Sequence, residues 1–423
     1  MTNGQVSVTF FLQMALILVV CRAVGWLCRR FLAQPQVVGE MIAGVLLGPS
    51  LFGILLPQWQ QQVFPQESLK TLYVGAQLGV GLFMFLVGMD FRSELFRARA
   101  RVAATVSLAG MVVPFALAVP LAAWMMGIPG LFSDKATPLI AFLFLGSAVS
   151  MTGFPVMARI IYENGISGTT LGTLALSAGA IGDVAAWCVL AIVLASFGAG
   201  PSAAVEAILG GAVYTVFVLT VGRWLLALLG RTSQHVGKLN HTMLGLLLAV
   251  LMISISITDA IGIHAVFGGF LLGLAMPRGP FARELHHRLE PIVVVFLLPM
   301  FFTYSGLSTR LDVVSTGAFL TVMIVVLAAS IFGKGVACWA AARLSGEDNR
   351  SALAIGSLMN ARGMMELILV NIALQRGIIQ QPLFSILVVM AIVTTLMASP
   401  LSERFYGQHE RELGELEATP LGD

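Results

Sequence analysis

The reading turns on 147-SAVSMTGFPVMARIIYENGISGTTLGTLALSAGAIGDVAAW-187. An apolar segment interrupted at Thr152-Gly153-Phe154-Pro155 is followed by a polar link over 162–167 and a second apolar segment over 168–197. Gly153 and Pro155 remove rigidity and one backbone donor, so the spacing predicts a helix break at membrane depth. Such a break is tolerated only where the freed groups face protein or a wet cavity. Near the middle of the second segment stands one carboxylate, Asp183. A charge at the bilayer centre costs about 2.5–3.5 kcal/mol on insertion scales, so an acid kept there reads first as part of an ion pathway. An interrupted helix beside a buried acid is also how secondary transporters build ion sites. The plainer reading is a proline kink in a packed bundle beside a neutral Asp183.

Working outward, the 423 residues are 58% hydrophobic and 11% charged. Soluble domains carry about 25% charge, so the chain is an all-α polytopic membrane protein. Its 44 glycines agree, because small residues let membrane helices approach closely. The net charge of +3 says little about partners, because the basic residues follow topology, and no basic patch suited to a nucleic acid is seen. Cys21, Cys28, Cys188 and Cys338 lie in or beside apolar segments without metal-ligand spacing, and read as packing residues. The first apolar segment is too long for a signal-peptide core and reads as a retained helix.

Apolar segments read as spans fall at 6–27, 36–56, 71–89, 102–127, 137–160, 168–197, 203–229, 239–257, 262–276, 289–307, 315–341, 351–375 and 381–400, the ninth being short, as for an oblique or half-buried helix. The expectation is therefore 13 transmembrane helices in a domain over 1–400, followed by a short, solvated or partly helical tail over 401–423. Sixteen of the 24 Lys and Arg fall in the loops after odd-numbered segments, in the tail, or, for Arg159, at the very end of the fifth segment, and the opposite loops hold only Lys70, Lys135, Arg310 and Arg376. That bias puts the N-terminus outside and the C-terminus in the cytoplasm. No nucleotide-binding glycine motif is present, so transport would run on a gradient rather than on ATP, and no cofactor is expected. Asn360-Ala361-Arg362-Gly363 interrupts the twelfth segment as TGFP interrupts the fifth. With the seventh segment as linker, segments 1–6 and 8–13 could be inverted repeats with two crossed discontinuous helices at the midplane.

The ionisable groups deepest within the spans are Asp183, Lys334, Arg362 and Glu366. Arg362 and Glu366 share a helix face at i and i+4, which leaves Lys334 as the natural partner for Asp183, with Arg362 competing. An acid beside a base in low dielectric can hold either a proton or a metal cation, and alternate opening of such a site suffices for cation/proton exchange. A purely structural salt bridge is the competing reading. Thr152, Ser150 and Asn360 could offer oxygens to Na⁺ or K⁺, or merely cap helix ends. Glu40 reads as an interfacial residue or funnel lining. Asp259 and His264 flank an external turn, and His286-His287 falls in a basic cytoplasmic loop.

The segments PQVVGEMIAGVLLGPSLFG, FMFLVGMDFR, SMTGFPVMARII, AIGDVAAW, HAVFGGFLLGLAMPRGP, LPMFFTYSGL, FGKG and LMNARGMMELILVNIAL together resemble the monovalent cation:proton antiporter-2 family, in particular its plant cation/H⁺ exchanger branch and bacterial relatives. The resemblance covers nearly all of 1–400. It implies a sodium/proton antiporter-like fold and a homodimer in a bacterial inner or plasma membrane, each protomer having a scaffold domain and a mobile core that moves like an elevator. It also implies that Asp183 binds the ion and the proton, that Thr152-Gly153-Phe154-Pro155 and Asn360-Ala361-Arg362-Gly363 are the two crossing breaks, and that Lys334 pairs with the acid. Gly182 departs from the pattern, since many members carry Asp, Asn or Gln there. One carboxylate implies one proton per monovalent cation and electroneutral exchange. Many members also append a cytoplasmic regulatory domain, which this sequence does not show. The rival functions are organic-anion symport on a similar fold, disfavoured by the paired Asp183 and Lys334, and a non-transporting receptor or scaffold. An intramembrane hydrolase is disfavoured because neither a Ser/His dyad nor HExxH is found.

Overall fold

The structure, a computed structural model, describes residues 3–32, 34, 36–90, 93–194, 201–228, 241–261, 265–307 and 317–418. These residues are helical apart from turns and one isolated antiparallel bridge between Phe132 and Ile379. The first elements are α1 (Asn3–Leu32), α2 (Gln36–Leu47), α3 (Phe52–Leu55), α4 (Pro57–Val63), α5 (Gln66–Asp90) and α6 (Ser93–Met126). Next come α7 (Pro138–Ser150), α8 (Phe154–Glu163), α9 (Thr170–Leu194) and α10 (Pro201–Phe217), the last running into a π-helical turn at Val218–Gly222. The remainder are α11 (His241–Ile261), α12 (Ala265–Ala275), α13 (Pro280–Ile292), α14 (Leu298–Leu307), α15 (Gly317–Leu344), α16 (Asn349–Leu358), α17 (Met364–Gln375) and α18 (Gln381–Ala418).

Ten helices among the described residues are long and apolar enough to cross a membrane. The thirteen-segment expectation additionally counts α9, the short apolar α12 and the interrupted run of α16 and α17. Three segments differ in extent. The second expected span ends as helix at Leu47 and continues as the short α3 and α4. The tenth begins early, so His286 and His287 lie on helix α13 rather than in a loop. The last helix does not stop near residue 400 but runs to Ala418, because the tail is rich in the helix formers Glu, Leu, Arg and Ala.

The chain divides into two compact units. One comprises Met1–Leu27, Gly39–Phe91 and Gly198–Thr309, and the other Cys28–Val38, Arg92–Phe197 and Arg310–Asp423. In the first, Glu40 is fully buried. Asp259 lies on α11, and His264 falls outside the described residues.

The second unit contains two interrupted helices of similar build. α7 begins behind Thr137 and Pro138 and stops at Ser150, and α8 resumes at Phe154. α16 begins behind Asp348 and stops at Leu358, and α17 resumes at Met364. The resumed helices end alike. Gly165 (φ 69°) and Gly377 (φ 66°) adopt the left-handed conformation just past α8 and α17. The following amides, Ile166 N and Ile378 N, reach back to Ile161 O at 3.1 Å and Ala373 O at 2.9 Å. Each is a six-to-one closure that a glycine at that position permits at no steric cost.

Candidate functional site

The first break lies slightly upstream of the expected one. Met151 leaves the helix with extended torsions (φ −62°, ψ 142°), while Phe154 and Pro155 already form the first turn of α8. Proline fits there because the amide it lacks would be an orphan in any first turn. The second break runs from Met359 to Gly363 and includes Asn360, Ala361 and Arg362, as expected.

The two breaks touch through their backbones. Gly153 N–H donates to Ala361 O at 2.8 Å, and Thr152 Oγ1 donates to Met359 O over a long 3.5 Å. A Cβ on Gly153 would lie 2.4 Å from both Arg362 C and Gly363 N, so only glycine allows this approach.

A helix that stops inside an apolar protein leaves its last carbonyls without amide partners and presents the negative end of its dipole. At the end of α7, Ser147 O is taken by Met151 N–H at 3.1 Å. The next carbonyls are served by two buried cations. Arg362 donates through Nη1 to Ala148 O at 2.6 Å and more weakly to Met151 O at 3.4 Å, and through Nη2 to Val149 O at 2.6 Å. Lys334 Nζ donates to Ser150 O. Arg362 also meets Glu366 Oε2 at 3.2 Å and Ser330 Oγ. Glu366 stands in the first turn of α17, where the helix dipole favours an acid.

Asp183 is 1% exposed. Its helix α9 packs on α6, α7, α8 and α16. One turn before it, a Cβ on Gly179 would strike Met157 Cε at 2.1 Å, and Phe154 lies next nearest. The helical period thus puts Asp183 on the α9 face that meets the start of α8, beside the first break. Neither carboxylate oxygen has a hydrogen-bond partner among the described residues. The expected direct pair with Lys334 is not formed among the described residues; the Lys334 Nζ donates to Ser150 O instead. Arg362 pairs with Glu366 on its own helix face, as their spacing suggested.

Asn360 directs its amide nitrogen to Gly356 O at 3.2 Å and Ile331 O at 3.4 Å, leaving Oδ1 without a hydrogen bond among the described residues. Gly335, beside Lys334, makes room for that amide, since a Cβ there would lie 2.7 Å from Asn360 Nδ2. Gly182, the departure from the family pattern, faces α6, where a Cβ would approach Ser107 Oγ at 3.0 Å. No group of three or more His, Cys, Asp or Glu suited to a metal occurs among the described residues.

Sequence reasoning missed Ser330 and Thr395, both buried, and the backbone carbonyls that the two cations serve. Ser330 stands one turn before Lys334, a spacing that signals a shared face. The carbonyls carry no side-chain signal.

Comparison with known proteins agrees with this architecture. Over 409 residues the chain is 38% identical to the Na(+)/H(+) antiporter NhaS4 of Synechocystis sp., covering 94% of this chain and 98% of that protein. It is 35% identical over 408 residues to cation/H(+) antiporter 18 of Arabidopsis thaliana, covering 93% of this chain but 48% of that longer protein. The fold matches the sodium proton antiporter MjNhaP1 of Methanocaldococcus jannaschii with a TM-score of 0.54 at 12% identity, over 99% of this chain and 100% of the other. The description "sodium/hydrogen exchanger, transmembrane" fits residues 15–404. By the extent of that match, the chain belongs to the sodium/hydrogen exchanger transmembrane family and is a multi-pass integral membrane protein, a transporter rather than an enzyme.

Proposed function

We infer that this protein is an antiporter exchanging a monovalent cation, Na⁺ or K⁺, for H⁺ across the membrane, with Asp183 as the group that holds one or the other. The carrying observation is the state of that carboxylate: buried, set at the first helix break, and given no hydrogen-bond donor by the described protein. A buried ionised carboxylate without donors is strongly unfavourable and is relieved by a proton or by a cation. Both ligands need the same oxygens, so each displaces the other. Alternating exposure of the site to the two sides then couples their movements in opposite directions.

Thr152 and Asn360 are the proposed additional oxygens. Asn360 Oδ1 is held facing away from its amide's own bonds, and the Thr152 hydroxyl is only loosely engaged. Lys334 sets the field at Asp183, whereas Arg362 and Glu366 hold the second break and the end of α7. With one titrating carboxylate at the site, one proton exchanges for one cation and the cycle moves no net charge.

The finer architecture belongs to the same reading: thirteen spans, inverted repeats about the seventh, and two crossed discontinuous helices. The matched construction of α7/α8 and α16/α17 supports it. So does the fold likeness to the sodium proton antiporter MjNhaP1 over nearly the whole chain. A homodimer with external N-terminus and cytoplasmic C-terminus completes the reading, supported by the distribution of Lys and Arg and by the resemblance.

The test is dye-reported ΔpH in proteoliposomes. Adding Na⁺ or K⁺ should dissipate an imposed gradient through the wild-type protein, and Asp183→Asn should abolish the response. An Asn variant that exchanges at the wild-type rate would remove Asp183 from the site.

A further inference from the structure

We propose that Thr395, on α18, is a positioning residue of the exchange site: its hydroxyl clasps the backbone of the second break and so fixes where the Arg362 guanidinium meets the end of α7. This inference rests on the exchange reading above. It concerns a residue in the last span, remote in sequence from both breaks.

The geometry is specific to one side chain. In a continuous helix Arg362 N–H and C=O would each have a helical partner. In the break they do not, and an unmet backbone pair inside an apolar core is unfavourable. Thr395 is placed to answer them: its Oγ1 accepts from Arg362 N at 2.9 Å and lies 3.1 Å from Arg362 O, within donating reach. It is 1% exposed, so water cannot readily substitute. The hydroxyl also lies 2.7 Å from Ala391 O of its own helix. It has one proton and two acceptors, and turning towards Ala391 leaves Arg362 O without that donor.

What the clasp holds lies on both sides of it. One residue before Arg362, Ala361 O receives Gly153 N–H from the first break at 2.8 Å. Two residues before is Asn360, whose free Oδ1 is a proposed cation ligand. From Arg362 itself, the guanidinium reaches Ala148 and Val149 of α7 and, more weakly, Met151 just past its end. Loss of the clasp therefore shifts the cation's oxygens and one of the two cations that neutralise the end of α7, without touching Asp183.

The neighbouring Thr394 supplies the control. It is equally buried, but among the described residues its hydroxyl reaches only Met390 O at 2.8 Å and Ala391 O at 3.2 Å, both of its own helix.

The experiment compares Thr395→Val, Thr395→Ser, Thr394→Val and Asp183→Asn in proteoliposomes, reading cation KM, kcat and the pH profile alongside Tm in detergent. Thr395→Val should raise the cation KM by about tenfold, the scale of a lost buried hydrogen-bond set, and shift the pH profile while retaining exchange. Thr395→Ser should restore both within about twofold, since it keeps the hydroxyl, and Thr394→Val should match wild type. A wild-type KM and pH profile in Thr395→Val would overturn the proposal. So would equal effects of the two valine variants, or a drop in Tm and rate in Thr395→Val with KM and pH profile unmoved. An active Asp183→Asn would sink the exchange-site reading itself, whereas an inactive Asp183→Asn beside an unaffected Thr395→Val would sink only this inference.

Discussion

The first break, between α7 and α8, carries no ionisable side chain, while the second, between α16 and α17, carries Arg362 and is followed at once by Glu366. The helices around them begin behind side-chain caps and end on glycine closures alike, yet the electrostatics of the breaks run one way. The buried end of α7 is served by cations from other segments, Arg362 from the second break and Lys334 from α15. The second break is closed by its own Arg362–Glu366 pair at 3.2 Å. Both bases that the sequence offered to Asp183 are thereby engaged on carbonyls. The asymmetry leaves Asp183 beside the first break with no donor among the described residues, which suits a group that must accept a mobile ligand.

Arg362→Ala should break that arrangement most severely. It strips the α7 end of its main cation and leaves Glu366 buried without its partner, a change of about 3–5 kcal/mol where a buried pair is broken. A fall in detergent Tm and in yield of folded protein measures it. Arg362→Lys should recover little, because a single ammonium cannot reach the carbonyls on both sides of the guanidinium fork.

Gly153→Ala should come next, at about 1–3 kcal/mol with loss of most transport, since its Cβ meets backbone on the other break at 2.4 Å. Gly363→Ala is the contrast. Its Cβ would first meet the tip of Val156 at 3.0 Å, and its φ of −160° is open to any residue. Equal transport rates for the two variants would argue against a backbone contact at Gly153.

Glu366→Gln should cost less than Arg362→Ala. It removes the charge facing Arg362 but leaves the carbonyl contacts of the guanidinium in place, so a difference of about 1–2 kcal/mol is expected for one charge-assisted bond. Its Tm lying below that of Arg362→Ala would reverse the assignment of which residue supports α7.

The smallest effect compares the outer caps. Asp348→Ala removes a cap that accepts from Arg350 N at 2.9 Å and Ser351 N at 3.1 Å, costing about 1 kcal/mol. Thr137→Ala removes a single 3.3 Å bond and should cost less. Partial burial pushes the Asp348 carboxyl up, but hydrogen bonds from Ser351 and Arg350 outweigh it and hold the group below its ordinary value. Its contribution is accordingly complete above the usual carboxylate range and is lost as pH falls through the lowered folded value. Acid melts of wild type should therefore converge on those of Asp348→Ala.

The sequence by itself determined the membrane class, the helical segments and the two interruptions, because hydropathy, Gly and Pro act locally and their signals are read within one segment. It also singled out the buried charges, since an ionisable residue inside an apolar run is conspicuous wherever the chain later goes. The pairing of Arg362 with Glu366 was legible for the same reason, as a spacing along one helix. Only the tertiary structure decided what those charges face. Lys334 turns to Ser150 O instead of Asp183, and Thr395 meets a backbone 33 residues away, because the partners are peptide groups. Every residue has such groups, so composition and spacing cannot mark them; only the folding of one broken helix against another exposes them and sets which side chain must answer.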